Sequence, residues 1–172
     1  MFIPLLVLAA LNLAGFISTM EKLSAIGRPI EQDMYHIRKR FSDYTMQMGY
    51  GMSNCNQIAL QDYFPAWFRP LLIFAGHPCY IDSGSLMDYE KAGRKITDRQ
   101  IDVLRNGSVD IWLFPRGVRP FVMQNWYKPH NDIFNDEYRH VFREKYEFLE
   151  STSCYDLWVV KGRAESIKRI RG

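Results

Sequence analysis

Val109-Asp110-Ile111-Trp112-Leu113-Phe114 is the clearest strand in this 172-residue sequence, and the prediction of the fold starts from it. β-branched and aromatic residues dominate the run, and Pro115 and Gly117 close it. Tyr155-Asp156-Leu157-Trp158-Val159-Val160 is a second strand of the same kind, near the C-terminus. Because helical patterns alternate with the strands, the sequence predicts a layered α/β sheet and not a β-sandwich.

Two amphipathic helices are predicted from apolar residues that recur at three- and four-residue spacing. The first runs over 30–45 and carries Met34, Ile37 and Phe41 on one face. The second begins at Asp132 or Asn135. Its apolar face is expected to contain five side chains, Phe134, Tyr138, Val141, Phe142 and Leu149.

Capping residues predict the starts of two further helices. Asp82 or Ser83 can cap a helix that ends near Gly93, and Thr97-Asp98-Arg99-Gln100 fits a capping box. Arg69-Pro70-Leu71-Leu72-Ile73-Phe74 is a short apolar run that ends at Ala75-Gly76. The run predicts a buried strand.

The N-terminal segment is strongly apolar, and residues 2–19 carry no charge. At 1.5 Å per residue, 18 helical residues span about 27 Å, close to the thickness of the hydrocarbon layer. A cleaved secretory signal would normally begin with Lys or Arg, but Phe2 follows Met1 directly. The sequence therefore predicts a retained transmembrane helix, with a cleaved signal as the alternative.

The predicted organisation has four parts: a transmembrane helix over 1–20, a linker over 21–29, an extracytoplasmic α/β domain over 30–161 and a basic tail over 162–172. The predicted fold class is α/β, an N-terminal transmembrane helix followed by one small three-layer-like α/β domain. The expected location is the inner or plasma membrane, which the chain crosses once, with membrane lipid as a partner. The tail is interpreted as a solvated end, or as a contact with anionic head groups.

Composition excludes several classes of protein. The chain is 47% hydrophobic and 15% aromatic, which argues against disorder. Its formal net charge of +3 is too small to indicate a nucleic-acid partner. Cys55, Cys79 and Cys154 form no CxxC motif, and either one disulfide or three unpaired thiols fits their spacing.

No active-site motif can be found in the sequence. The four histidines are scattered, and no G-x-S-x-G, G-x-G-x-x-G or P-loop occurs, so no catalytic residue, metal ligand or cofactor is predicted. Cys79 lies two residues after His77, which suggests a nucleophilic cysteine with a histidine base. Asp82 and Asp88 suggest a pair of carboxylates for acid/base catalysis. A helix cap for Asp82 and a surface position for Asp88 are the competing interpretation.

Aromatic residues supply the candidate binding site. Trp67, Phe68 and Trp126 lie in predicted loops beside proline or polar residues, where they are better placed than core aromatics to contact a ligand. Such side chains can lie at the level of lipid head groups or stack on sugars. Trp112 lies in a predicted strand, so core packing is expected for it.

Several segments, taken in order, resemble a known family. They are 48–51, 68–76, 81–82 with 86–88, 109–115 and 155–158, that is MGYG, FRPLLIFAG, ID with LMD, VDIWLFP and YDLW. The set resembles the C-terminal, extracytoplasmic part of bacterial polytopic glycosyltransferases of the dolichyl-phosphate-mannose protein mannosyltransferase-like group, which have the GT-C architecture. The resemblance covers roughly residues 1–161.

The resemblance implies transfer of a sugar from a lipid-phosphate donor to an acceptor. The implied partners are a polyprenyl-phosphate sugar or a glycan acceptor. The family's catalytic acid lies in the first extracytoplasmic loop, and no position here corresponds to it. The expected function is therefore that of an accessory domain, non-catalytic on its own. The alternative is a single-pass envelope protein that binds a glycan or an assembly partner.

Overall fold

The computed structural model describes residues 24–25, 27–52, 69–128 and 131–169. The helices within these residues are α1 (27–40), α2 (Arg69–Phe74), α3 (Ser83–Lys91), α4 (Asp98–Arg105), α5 (Asp136–Lys145) and α6 (Ala164–Arg169). The strands are β1 (Met46–Met48), β2 (Gly51–Met52), β3 (Ile111–Pro115), β4 (Arg119–Pro120), β5 (Tyr146–Ser151) and β6 (Tyr155–Val160).

A mixed four-stranded sheet in the order β1-β3-β6-β5 forms the centre of the domain. β3 runs parallel to β1 and antiparallel to β6, and β5 pairs antiparallel with β6. All five residues of β3 are buried, because strands cover both of its edges and side chains cover both of its faces. β2 and β4 form a separate antiparallel pair beyond the ends of β1 and β3.

Helices cover the two faces of the sheet. Leu157 and Trp158 are neighbours on β6 and therefore point to opposite faces. The Phe142 ring of α5 lies 5.4 Å from the Trp158 ring between centroids. Arg40 of α1 forms an ion pair with Glu150, which is the register partner of Leu157. α5 and α1 therefore lie on opposite sides of the sheet.

The predicted helix starts are confirmed by the caps that the structure contains. Asp82 is the N-cap of α3, where its carboxylate accepts a hydrogen bond of 2.8 Å from the backbone N–H of Ser85. Thr97 and Gln100 form the capping box of α4. Asn135 caps α5, one of the two starts predicted. These starts depend on local hydrogen bonds, so neighbouring residues suffice to predict them.

The prediction of a buried strand over 69–74 is wrong. This segment forms α2, whose only buried residue is Leu72, and Phe74 is 87% exposed. β1 takes the place beside β3 that the segment would have needed. A short apolar run has the same sequence pattern whether it forms a strand or a helix, so its periodicity could not distinguish the two structures.

The predicted apolar face of the last long helix is too long. α5 ends at Lys145, and Leu149 lies in β5.

The basic tail also differs from a solvated end, because Ala164–Arg169 forms α6 and Ile167 is fully buried.

The predicted fold class needs correction in its membrane segment. Among the residues that the structure describes, no helix has both the length and the apolarity needed to cross a bilayer. The segment predicted to cross the membrane, residues 1–20, lies outside the described residues.

Replacing Gly51 by alanine is expected to lower the free energy of unfolding by about 1–3 kcal/mol, the usual cost of overpacking. A Cβ at this position would collide with the backbone carbonyl oxygen of Arg119, which β2–β4 pairing holds in place. Urea denaturation measures the change. Gly84→Ala is the matched control, because its Cβ meets one side-chain oxygen, that of Asp82 at 3.2 Å, and no backbone atom. Equal losses in both variants would contradict the prediction.

Candidate functional site

One wall of the candidate site is formed by α3 and the turn that follows it. The helix begins at its Asp82 cap and ends where Gly93 takes a φ of +77°, a conformation that glycine adopts without strain. The N–H of Arg94 donates to the carbonyl oxygen of Tyr89 at 2.9 Å. The chain therefore reverses here and keeps the last turn of α3 beside the segment 93–96.

The opposite wall is formed by residues 121–128 and 131–135, which we call the 121–135 loop. Phe121 opens it with a φ of +56°, which is uncommon for a residue other than glycine, and its N–H donates to the carbonyl oxygen of Tyr50 at 2.7 Å. The N–H of Ile133 donates to the carbonyl oxygen of Met123 at 2.9 Å. The loop thus leaves the core and returns to it at neighbouring points.

Asn125 ties this loop to α3. Its side chain is 1% exposed, and its amide donates a short hydrogen bond to the carboxylate of Glu90. Its carbonyl oxygen accepts from the backbone N–H of Tyr127 at 2.8 Å. The Lys128 ammonium lies 4.0 Å from the Glu90 carboxylate and adds a second, weaker link. Buried amide hydrogen bonds of this kind hold a loop in one arrangement.

A cavity of about 320 Å³ separates the two walls, and we call it the α3 cleft. Apolar and polar side chains both line it, and they are Leu86, Tyr89, Glu90, Arg94, Lys95, Ile96, Lys128, Asp132, Ile133 and Asn135. Small-molecule sites usually begin at about 300 Å³ and combine apolar walls with a few polar groups. The cleft can therefore take a ligand of about one or two sugar rings.

Tyr89 lines the α3 cleft, and two further exposed aromatic residues, Trp126 and Tyr127, belong to the loop that forms one of its walls. Trp126 is 70% exposed, Tyr127 52% and Tyr89 44%. The Lys91 ammonium lies 4.4 Å from the Tyr127 ring centroid, and the negative charge of Asp88 raises the pKa of Tyr127. Tyr127 is thus held against α3, whereas Trp126, one residue earlier, presents most of its surface to solvent.

Of the three binding residues predicted from the sequence, the structure describes one, Trp126. Trp126 lies in the loop that forms one wall of the cleft, between the buried Asn125 and the cleft residue Lys128. Trp67 and Phe68 lie outside the described residues. The role of all three in binding stays a prediction. Sequence reasoning missed Asn125 and Glu90, because nothing near either residue signals a contact across 35 positions.

The hypothesis of a Cys79–His77 nucleophile gains no support from the geometry. Nδ1 of His77 faces the backbone N–H of Met46 at 3.4 Å, and burial together with the nearby Arg38 lowers the pKa of His77. The His77 ring therefore serves to hold β1. Cys79 is exposed, and no hydrogen bond between it and His77 is present.

Asp82 also has a structural role. Besides capping α3 it forms an ion pair with Arg69, whose guanidinium donates to the Tyr50 hydroxyl at 2.8 Å. The cavity beside these groups measures about 10 Å³, close to the space of one water molecule. This cluster joins α2 to α3 and leaves no room for a substrate.

Within the described ranges, no three His, Cys, Asp or Glu side chains lie close enough to hold a metal ion. Comparison of the chain with family models, curated proteins and solved structures finds no match. The resemblance to the glycosyltransferases therefore stays a prediction from the sequence, and the function has to be argued from the site.

His77 should make the stability of the domain depend on pH. The folded state lowers its pKa below the usual 6.5, so the unfolded chain binds the proton more readily. Where the unfolded state binds more protons, stability falls as pH falls. The free energy of unfolding of the wild type, minus that of His77→Gln, should therefore decrease between pH 7.5 and pH 5. Urea denaturation of both proteins across this range measures it, and a constant difference would refute the assignment.

Proposed function

We propose that this domain binds sugar and acts as a non-catalytic accessory domain of a glycosyltransferase, with the glycan acceptor in the α3 cleft. The observation that carries the proposal is the exposed Trp126 on a loop that Asn125 fixes beside a polar cleft. The glycosyltransferase context rests on the ordered sequence resemblance. That resemblance also implies that the domain works at the extracytoplasmic side.

The chemistry of the cleft suits a sugar ring. A pyranose has a face of C–H groups, which packs on an aromatic ring, and a rim of hydroxyls, which donate and accept hydrogen bonds. Trp126 offers the first kind of contact on a loop with little freedom. Glu90, Lys128 and Asp132 offer charged hydrogen-bonding groups, which form stronger bonds than neutral ones.

The same groups favour binding over catalysis. Asn125 and Lys128 engage the Glu90 carboxylate, and Arg139 engages the Asp132 carboxylate at 2.7 Å. A general acid or base must be within reach of the reacting group and exchange a proton with it. Carboxylates that already hold protein partners are better suited to orienting hydroxyls.

Trp126→Ala should weaken the binding of a soluble oligosaccharide at least tenfold, about 1.4 kcal/mol, because the aromatic face is lost. Titration calorimetry with manno-, gluco- and chito-oligosaccharides of four units measures the affinity. Trp126→Phe, which keeps an aromatic face, should retain most of it.

The matched control is Tyr35→Ala, which removes a 60% exposed aromatic ring from α1, away from the cleft. It should change the affinity by less than twofold. Circular dichroism of each variant checks that the fold is intact. Equal affinity of the wild type and Trp126→Ala would overturn the proposal. Binding of none of the oligosaccharides would favour a protein partner at this surface, since exposed tryptophans also anchor protein interfaces.

A further inference from the structure

A second cavity, of about 430 Å³, lies on the other side of Asp132. We call it the arginine groove, and its principal side chains are Arg119, Arg139, Arg143, Trp158 and Asp132. It opens between β4, β6 and α5, and Val122 and Asp132 of the neighbouring loop complete its walls. Asp132 lines both this groove and the α3 cleft, which makes the two cavities neighbours.

Arg139 is already satisfied by the protein. Its guanidinium donates to Asp132 at 2.7 Å, to Asp136 at 2.6 Å and to the carbonyl oxygen of Phe134 at 2.6 Å. These bonds use the Asp132 carboxylate, which is the only acidic side chain among the described residues that line the groove. Arg139 and Asp132 therefore form a neutral, fixed part of the wall.

Arg119 and Arg143 leave the groove positively charged. Neither guanidinium forms an ion pair with an acidic residue in the part of the chain that the structure describes. Pairing of β2 with β4 fixes the backbone of Arg119, and α5 fixes that of Arg143. The hydrogen bond from Arg139 is the main cause of the lowered pKa of Asp136, and the charge of Arg143 contributes least. The Asp136 carboxylate is therefore a partner of Arg139. Arginines favour carboxylate and phosphate, which they can bind through two parallel hydrogen bonds.

The remainder of the groove is apolar. Trp158 is half-buried, with its ring 5.4 Å from Phe142 and 5.9 Å from Phe148 between centroids, and these contacts hold the indole in place. Pro120 and Val122 extend the apolar wall. A ligand that fits here carries an oxyanion on a body with an apolar face, and not an isolated ion.

We propose that the arginine groove is an oxyanion site, in which Arg119 and Arg143 hold the carboxylate or phosphate of an acidic sugar unit. The neighbouring ring of the same chain then occupies the α3 cleft, a step that rests on the proposed function. The ligand class is an acidic glycan, in which an anionic group and a neutral ring lie on either side of Asp132.

Calorimetry of the full chain with three probes tests the site: a neutral mannose tetramer, an acidic tetramer of the same length in which one mannose unit is replaced by mannuronate, and inorganic phosphate. The acidic tetramer should bind at least tenfold tighter than the neutral one at low salt. Arg119→Gln/Arg143→Gln should abolish this difference. Arg28→Gln/Arg99→Gln, which removes the same charge from positions outside both cavities, should preserve it.

The possible results distinguish a failure of the oxyanion site from a failure of the proposed sugar-binding function. Equal affinity of the wild type for the two tetramers overturns the oxyanion site and leaves sugar binding in place. Arginine-dependent binding of phosphate, without binding of either tetramer, supports the oxyanion site and overturns the sugar-binding function. An acidic preference that the Arg119→Gln/Arg143→Gln variant retains also overturns the site. Thermal denaturation of each variant verifies that a loss of binding is not a loss of the fold.

Discussion

Burial of β3 on all sides is the constraint on which the rest of the structure depends. Its backbone is paired with β1 at one edge and β6 at the other, and all five of its residues are buried. Trp112 lies within 6.5 Å of the Phe121, Phe142 and Tyr146 rings between centroids. A strand that is apolar on both faces needs a layer on each side of the sheet, because exposing either face would return its apolar area to water. The positions of α1 and α5 follow from this requirement.

The candidate site is a consequence of the same core. Phe121 packs 5.2 Å from Trp112 and 4.9 Å from Phe134, so the aromatic cluster fixes the point at which the 121–135 loop leaves the sheet. Asn125 then fixes the middle of the loop to α3 through Glu90. Trp126 is 70% exposed, and its two sequence neighbours, Asn125 and Tyr127, are held by the protein. A backbone that is already fixed loses little entropy when a ligand packs on the side chain it carries.

Two cavities share Asp132 in their walls, and both present charged and aromatic side chains. The first has an aromatic border and polar walls, and the second has arginine charge beside an indole. Neither contains a carboxylate that lacks a protein partner, since Glu90 bonds to Asn125 and Asp132 to Arg139. The arrangement therefore suits recognition of a polar ligand.

The sequence by itself determined the elements that depend on local interactions. The caps at Asp82, Thr97 and Asn135 and the strands around Trp112 and Trp158 were predictable, because residues within three or four positions supply the hydrogen bonds or the apolar pattern. Sequence reasoning also singled out Trp126 as exposed and available. It misassigned 69–74 as a strand, because a short apolar run does not distinguish a strand from a helix. It missed β1, whose partner β3 is far away in the chain, and it also missed β5, although β5 pairs with its near neighbour β6.

Only the tertiary structure decided that Asn125 contacts Glu90, that Arg119 and Arg143 line the same cavity, and that Asp132 borders both cavities. Each of these arrangements brings together residues more than ten positions apart and is selected by how the layers pack. No short-range pattern encodes such a choice.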